Sequence, residues 1–318
     1  GSYYMISRRL LRIKVLQIMY AFSKKDDYST TKAEKELFYS IEKFYDLYHL
    51  LLLLLVEIAK MEENNFELVK NKLYNTNKIY PNKKLSDNKI LQCIKKNENL
   101  EDSAKERKLN WNKNDYIIKS LYNDFINSEA FVKYSESDNV TQKDDKDLIV
   151  YFYSEFLAEN EKFIEFLEEE SIYWIDDFNF ALVIVLKTLQ SVKTESENST
   201  KLLPLFKNEN DKEFAKNLLK KTIINSETNI KIIEKYAKNW DTERIAQIDL
   251  LILQLAITEV LEFPSIPIKV TFNEFIEISK YYSTSKSKIF INGLLDKIIK
   301  DFKIEKKINK AGRGLVGD

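Results

Sequence analysis

"ERIAQIDLLILQLAITEVLEFPSIPIKVTFNEFIEISKYYST", residues 243–284, is the stretch on which the fold turns. Asp241 offers an N-cap for a helix over 242–263. Within it, Ile245, Ile248, Ile252 and Leu255 recur at the spacing of one helical face. Glu259 continues that face. A carboxylate on a core stripe is costly unless it is hydrogen-bonded, so Glu259 is expected to have a structural task, capping or pairing near Lys269. "FPSIP", 263–267, breaks the helix. Thr271 and Glu274 then stand at capping-box spacing for a second helix, which starts there or one turn earlier.

A third helix follows in "KSKIFINGLLDKI", 286–298. Two of its choices are locally unfavourable. Lys286 and Lys288 sit at its start, where cations oppose the macrodipole, and Gly293 sits inside it at a cost of roughly 1 kcal/mol against alanine. The lysines make sense if an anion shares the backbone N–H groups of the helix start; otherwise they are a solvated basic surface. Gly293 makes sense if the first helix of the chain crosses closely there; otherwise it is incidental.

That first helix is "SRRLLRIKVLQIMYAF", 7–22, with Ser7 as its N-cap. Leu11, Val15, Ile18, Met19 and Phe22 form one stripe, and Arg9, Ile13, Leu16 and Tyr20 a second, so the helix is buried on two sides or keeps one for a partner. Between the two ends, helices are expected at 31–62, 146–170, 175–193 and 211–240, the last either one long helix or a broken pair. The polar segment 63–145, rich in Asn, Lys, Asp and Ser, reads as a loosely ordered insertion with two or three short helices. Residues 194–209 read as a linker, and the tail "KKINKAGRGLVGD", 306–318, as flexible and basic. Trp174 and Trp240 occupy equivalent places in two similar segments, either a duplication or two alike amphipathic hairpins.

Composition excludes several classes. Among 318 residues there are five glycines, and none lies between Gly1 and Gly293, so neither a glycine-rich phosphate loop nor many tight hairpins can be built. The fold class is therefore all-α. One histidine, His49, and one cysteine, Cys93, cannot supply an ordinary zinc site or a disulfide. No catalytic constellation, metal site or cofactor is expected, and the chain reads as a binding protein rather than an enzyme. The formal net charge is zero, so an anion site must come from local clustering. Arg8, Arg9, Arg12, Lys14, Lys24 and Lys25 cluster without an acid, whereas 155–177 holds nine carboxylates against one lysine. The leucine run at 50–56 is far shorter than the roughly 20 residues of a spanning helix, and a cytoplasmic protein with no membrane partner is expected.

"RRLLRIKVLQIMYAF" at 8–22, the stretch 243–284 and "KSKIFINGLLDKI" together resemble the NusB family of bacterial transcription antitermination factors. The likeness covers the first helix and about 211–300, and the chain resembles an enlarged form with a long insertion after the first helix. It implies an all-helical bundle of two packed subdomains: residues 5–30 as first helix, 31–200 as inserted helical region, 201–305 as C-terminal core. It also implies binding of a boxA-type element of ribosomal RNA leader transcripts, a heterodimer with ribosomal protein NusE, and action on RNA polymerase. By position, Arg8, Arg9, Arg12, Lys286 and Lys288 would bind RNA, and Tyr20 and Asp249 would contact NusE. Two other readings stand beside this one. The chain could be a helical scaffold with protein partners alone, or an RNA-binding module akin to the N-terminal domain of ribosomal-RNA cytosine methyltransferases.

Overall fold

The computed structural model describes residues 8–25, 29–72, 82–195, 201–206, 208–238 and 245–317. Among them are fourteen α-helices and no strand. In chain order these are α1 (Arg8–Ser23), α2 (Thr30–Lys72), α3 (Lys89–Lys95), α4 (Glu98–Arg107), α5 (Asp115–Ile126), α6 (Glu129–Glu136) and α7 (Gln142–Tyr151), which a π-helical turn (Phe152–Leu157) continues. Then come α8 (Glu161–Glu170), α9 (Trp174–Gln190), α10 (Glu209–Ile224), α11 (Ser226–Tyr236), α12 (Gln247–Glu262), α13 (Ile268–Tyr282) and α14 (Ser285–Ile304). The chain forms two compact units, one from residues 1–41 and 206–318, the other from 42–205.

The first unit is built around α12, whose residues Leu251 to Val260 are all buried. A helix apolar on every side needs neighbours on every side, and α1, α10, α11, α13 and α14 supply them. The few polar groups inside are paired: Asn229 Nδ2 donates to Thr258 Oγ1 at 3.0 Å and Ser226 Oγ to Gln254 Oε1 at 2.9 Å. The 211–240 segment is the broken pair, with the break at Asn225 between α10 and α11. Asp241, Trp240 and Ser7 lie outside the described residues. Helix α13 starts one turn before Thr271, directly after Pro267. The capping box does not form because Thr271 Oγ1 is spent on Glu259 Oε1, 2.8 Å away.

The tail does not run free. Ala311 N donates to Pro264 O at 3.0 Å, Lys310 Nζ donates to Phe263 O at 2.9 Å, and a 3-10 turn over Gly312–Leu315 follows. Gly314 lies so close beneath Pro264 that a Cβ there would collide with its carbonyl. Satisfying the carbonyls left open at the 263–267 break is the physical reason for docking.

The second unit overturns the expectation for 63–145. Helix α2 runs on to Lys72, and residues 82–145 fold into α3 to α6 and the start of α7, with Leu91, Leu100, Trp111, Leu121, Phe125 and Phe131 buried. The asparagines and serines that read as loop are helix N-caps. Asn88 accepts from Ile90 N and Leu91 N, Asn97 from Leu100 N and Ser128 from Phe131 N; Asn160, within the helix expected at 146–170, accepts from Phe163 N and starts α8 there. Thr141 and Asp144 form a full capping box. Trp111 Nε1 donates to Leu50 O at 3.0 Å, and the indole packs on Phe163 and Phe166. The leucine run at 50–56 lies within α2 in this core, and no described helix is long and apolar enough to cross a membrane. Of the expected linker, Leu203 is tied into the unit, accepting from Tyr45 Oη at 3.0 Å and donating its N–H to Tyr48 Oη at 3.2 Å.

Candidate nucleic-acid interface

Helices α1, α13 and α14 bring together side chains from both ends of the chain. Arg9 presents its guanidinium fork to Glu274: Nε to Oε2 at 2.8 Å and Nη2 to Oε1 at 3.0 Å. That bond comes first among the effects holding the Arg9 pKa above its ordinary value, with burial opposing and Glu277 and Tyr281 adding to it. Glu277 stands one turn along α13 and bonds to Lys280. Its carboxyl is pulled below the usual range, first by that hydrogen bond, with Arg9 and Lys288 adding their charge. Two residues far apart in sequence, Arg9 and Lys288, thus both act on the charge of one carboxylate. Beside them begins α14, capped by Thr284, which accepts from Ser287 N at 3.2 Å, and its first turn holds no acid. Lys286 is exposed there, and Tyr281 and Ile289, at 61% and 68% exposure, flank the cluster.

The other candidate residues sit differently. Arg12 is 2% exposed and donates to Glu259 through Nε at 2.8 Å and Nη2 at 2.6 Å, with Phe214 and Phe275 against its guanidinium. It offers nothing to solvent, which corrects its assignment as an RNA contact. Glu259 does have a structural task, but its partners are Arg12 and Thr271, not Lys269. Arg8 is half-buried, bonded to Asp211 at 2.9 Å and laid over Phe214. Asp249 is buried and accepts from Ser283, so its side chain bridges the start of α12 to the end of α13 and does not reach a partner. Tyr20 is at the surface, 36% exposed, with the Lys24 ammonium 4.2 Å from its ring centre. Gly293 is exposed and a Cβ there would meet nothing within 4 Å, so no helix crosses at it; the glycine that a close approach requires is Gly314. Sequence reasoning missed Lys280, whose only signal was its place on the last turn of the helix preceding Lys286. Among the described residues no three His, Cys, Asp or Glu side chains converge as a metal site.

A family model described as "NusB family" matches residues 181–300, from within α9 to within α14. The chain is 40% identical over 139 residues to a transcription antitermination protein NusB from Salinibacter ruber, a match spanning 42% of this chain and 87% of the relative. The chain belongs to the NusB family. Its similarity to the NusB of Thermodesulfovibrio yellowstonii is 47% over 94 residues, covering 30% of this chain and 62% of that one. To the NusB of Chloroherpeton thalassium it is 46% over 84 residues, covering 26% and 40%. No solved structure matches the chain significantly. The family model leaves out α1, so the place of Arg9 in this NusB-family surface rests on the packing of α1 against α10, α12 and α13.

Proposed function

We propose that this NusB-family chain binds a boxA-type single-stranded RNA element of ribosomal RNA leader transcripts on the surface formed by Arg9, Lys280, Lys286 and Lys288. In this reading it pairs with ribosomal protein NusE and acts on RNA polymerase in a cytoplasmic antitermination complex. The observation that carries the RNA part is the pair of cations Arg9 and Lys280, held by Glu274 and Glu277 one turn apart on α13, beside a helix start that holds no acid and carries Lys286 and Lys288. Phosphates are drawn by clustered cations and by the unbonded N–H groups of a helix start. Exposed Tyr281 and Ile289 add surfaces on which unstacked bases can lie. Tyr20, exposed at the end of α1, is the aromatic anchor proposed for NusE.

Lys286→Glu combined with Lys288→Glu tests the RNA part. The double variant is expected to bind a boxA-type RNA at least tenfold more weakly, with the slope of log affinity against log salt flattened by about 0.7 for each phosphate no longer neutralised. Helical circular dichroism is expected to be unchanged. Equal affinity and an equal slope would overturn the assignment. For the partner part, Tyr20→Ala is expected to weaken NusE capture while leaving direct RNA binding in place.

A further inference from the structure

We propose that Glu274 and Glu277 are resident competitors for the polyanion, occupying Arg9 and Lys280 until phosphates displace them, and so setting a threshold that any polyanion must clear to bind this surface. The proposal rests on the RNA-binding reading above and concerns what regulates that same surface.

The geometry is that of a phosphate already in place. Glu274 engages both Nε and Nη2 of Arg9, the two-pronged arrangement in which arginine binds either a carboxylate or a phosphate. An RNA phosphate can take the Nε and Nη2 edge of Arg9 only by evicting it. The evicted carboxylate is not stranded, because Glu274 Oε2 already lies 3.9 Å from Nη1 of Arg12 on its inner side. Arg12 is itself anchored by Glu259 and stays where it is. Exchange therefore swaps one cation for another around Glu274 and leaves no buried charge alone, the outcome that would make it prohibitive.

Glu277 repeats the arrangement one turn further along α13. It holds Lys280, and the charges of Arg9 and Lys288 favour its ionised form. Three cations shared with two carboxylates leave this part of the surface with little excess charge, and long-range attraction for polyanions in general is correspondingly weak. The cost of eviction is the same for every nucleic acid. A ligand that also offers bases to Tyr281 and Ile289 recovers it, whereas a bare run of phosphates does not. The competing account is that Glu274 only fastens α1 to α13.

The test uses the full chain, its Glu274→Gln and Glu277→Gln variants, and three probes: heparin, a boxA-type RNA and a uridine homopolymer of equal length. Each variant is expected to bind heparin about three- to tenfold more tightly at low salt, with the salt slope steepened by about 0.7. Both RNAs are expected to gain by a similar factor, because the cost of eviction is the same for each. Unchanged heparin affinity and slope in both variants would overturn the proposal, whatever happens to RNA. If heparin binding rises while no form of the protein binds the boxA-type RNA, the competitors are real and it is the RNA reading that fails. Glu277 lies at the surface, so its variant keeps the test open should loss of Glu274 loosen α1.

Discussion

Removing Glu259 would leave the Arg12 guanidinium buried between Phe214 and Phe275, with Glu274 at 3.9 Å as its nearest remaining carboxylate. Breaking a buried pair from one side costs about 3–5 kcal/mol. Glu259→Ala is therefore expected to lower the urea midpoint sharply. Arg12→Met with Glu259→Leu, which removes both charges together, is expected to lose far less. His49 offers a second test at this scale. Its Nδ1 lies 2.8 Å from Tyr45 O, which can only accept, so Nδ1 carries the proton and Nε2 accepts from Ser103 Oγ at 2.9 Å. Burial is the first cause pushing the imidazole below its ordinary 6.5. The unfolded chain thus takes up this proton at a higher pH than the folded one. The stability His49 contributes is complete above about pH 6.5 and is lost as the pH falls toward its folded pKa. Thermal midpoints measured from about pH 7 to about pH 5 should fall more steeply in the wild type than in His49→Gln, and parallel curves would refute the account.

At the scale of elements, α12 to α14 were legible because apolar residues recur there at helical spacing and a Pro-rich break separates the first two. The two apolar stripes of α1 were legible on the same grounds, but not whether the second is core or kept for a partner; Ile13 and Leu16 are buried and Tyr20 is at the surface. What the spacing could not reveal is which charge meets which: Arg12 and Glu259 sit 247 positions apart, and nothing local to either names the other. Helices α3 to α6 were reduced to two or three short helices in a loose insertion for a different reason. Asparagine and serine compete with the backbone for hydrogen bonds, which suits both loops and helix starts, so a run dense in short capped helices has the composition of a coil. Asn97→Ala removes one such cap, to Leu100 N, and is expected to cost about 1 kcal/mol, read as a lower urea midpoint. Gly293 misleads because a glycine inside a helix need not mark a close approach; Gly314, in a tail whose composition reads as flexible, is where one occurs.

For the whole molecule, the family was legible, although its model begins at residue 181 rather than about 211 and does not take in the first helix; the character of the remainder was not legible. Deleting about 65–140 would remove Leu91, Trp111, Leu121 and Phe125 from the core of the second unit, so that unit is expected to unfold, contrary to the reading of this segment as an outer insertion. Trp111→Ala is a milder version. It leaves a void beside Phe163 and Phe166 and is expected to cost about 3–5 kcal/mol. Because the Arg9 surface belongs to the other unit, heparin binding should survive at temperatures where the variant's second unit is still folded.

The order of residues also imposes a timetable on synthesis. The unit that holds α1 is assembled from the first 41 residues and from those after 205, while everything between them belongs to the other unit. At roughly 5–20 residues per second, a ribosome spends about ten to thirty seconds making the intervening stretch. Throughout that interval α1, with Leu11, Ile13, Val15 and Leu16 destined for full burial, has none of its partners α10, α12 and α13. The second unit can close while its sibling is still half made, and the nascent chain meanwhile carries an unsheltered apolar helix. Such a helix is a natural client for chaperones.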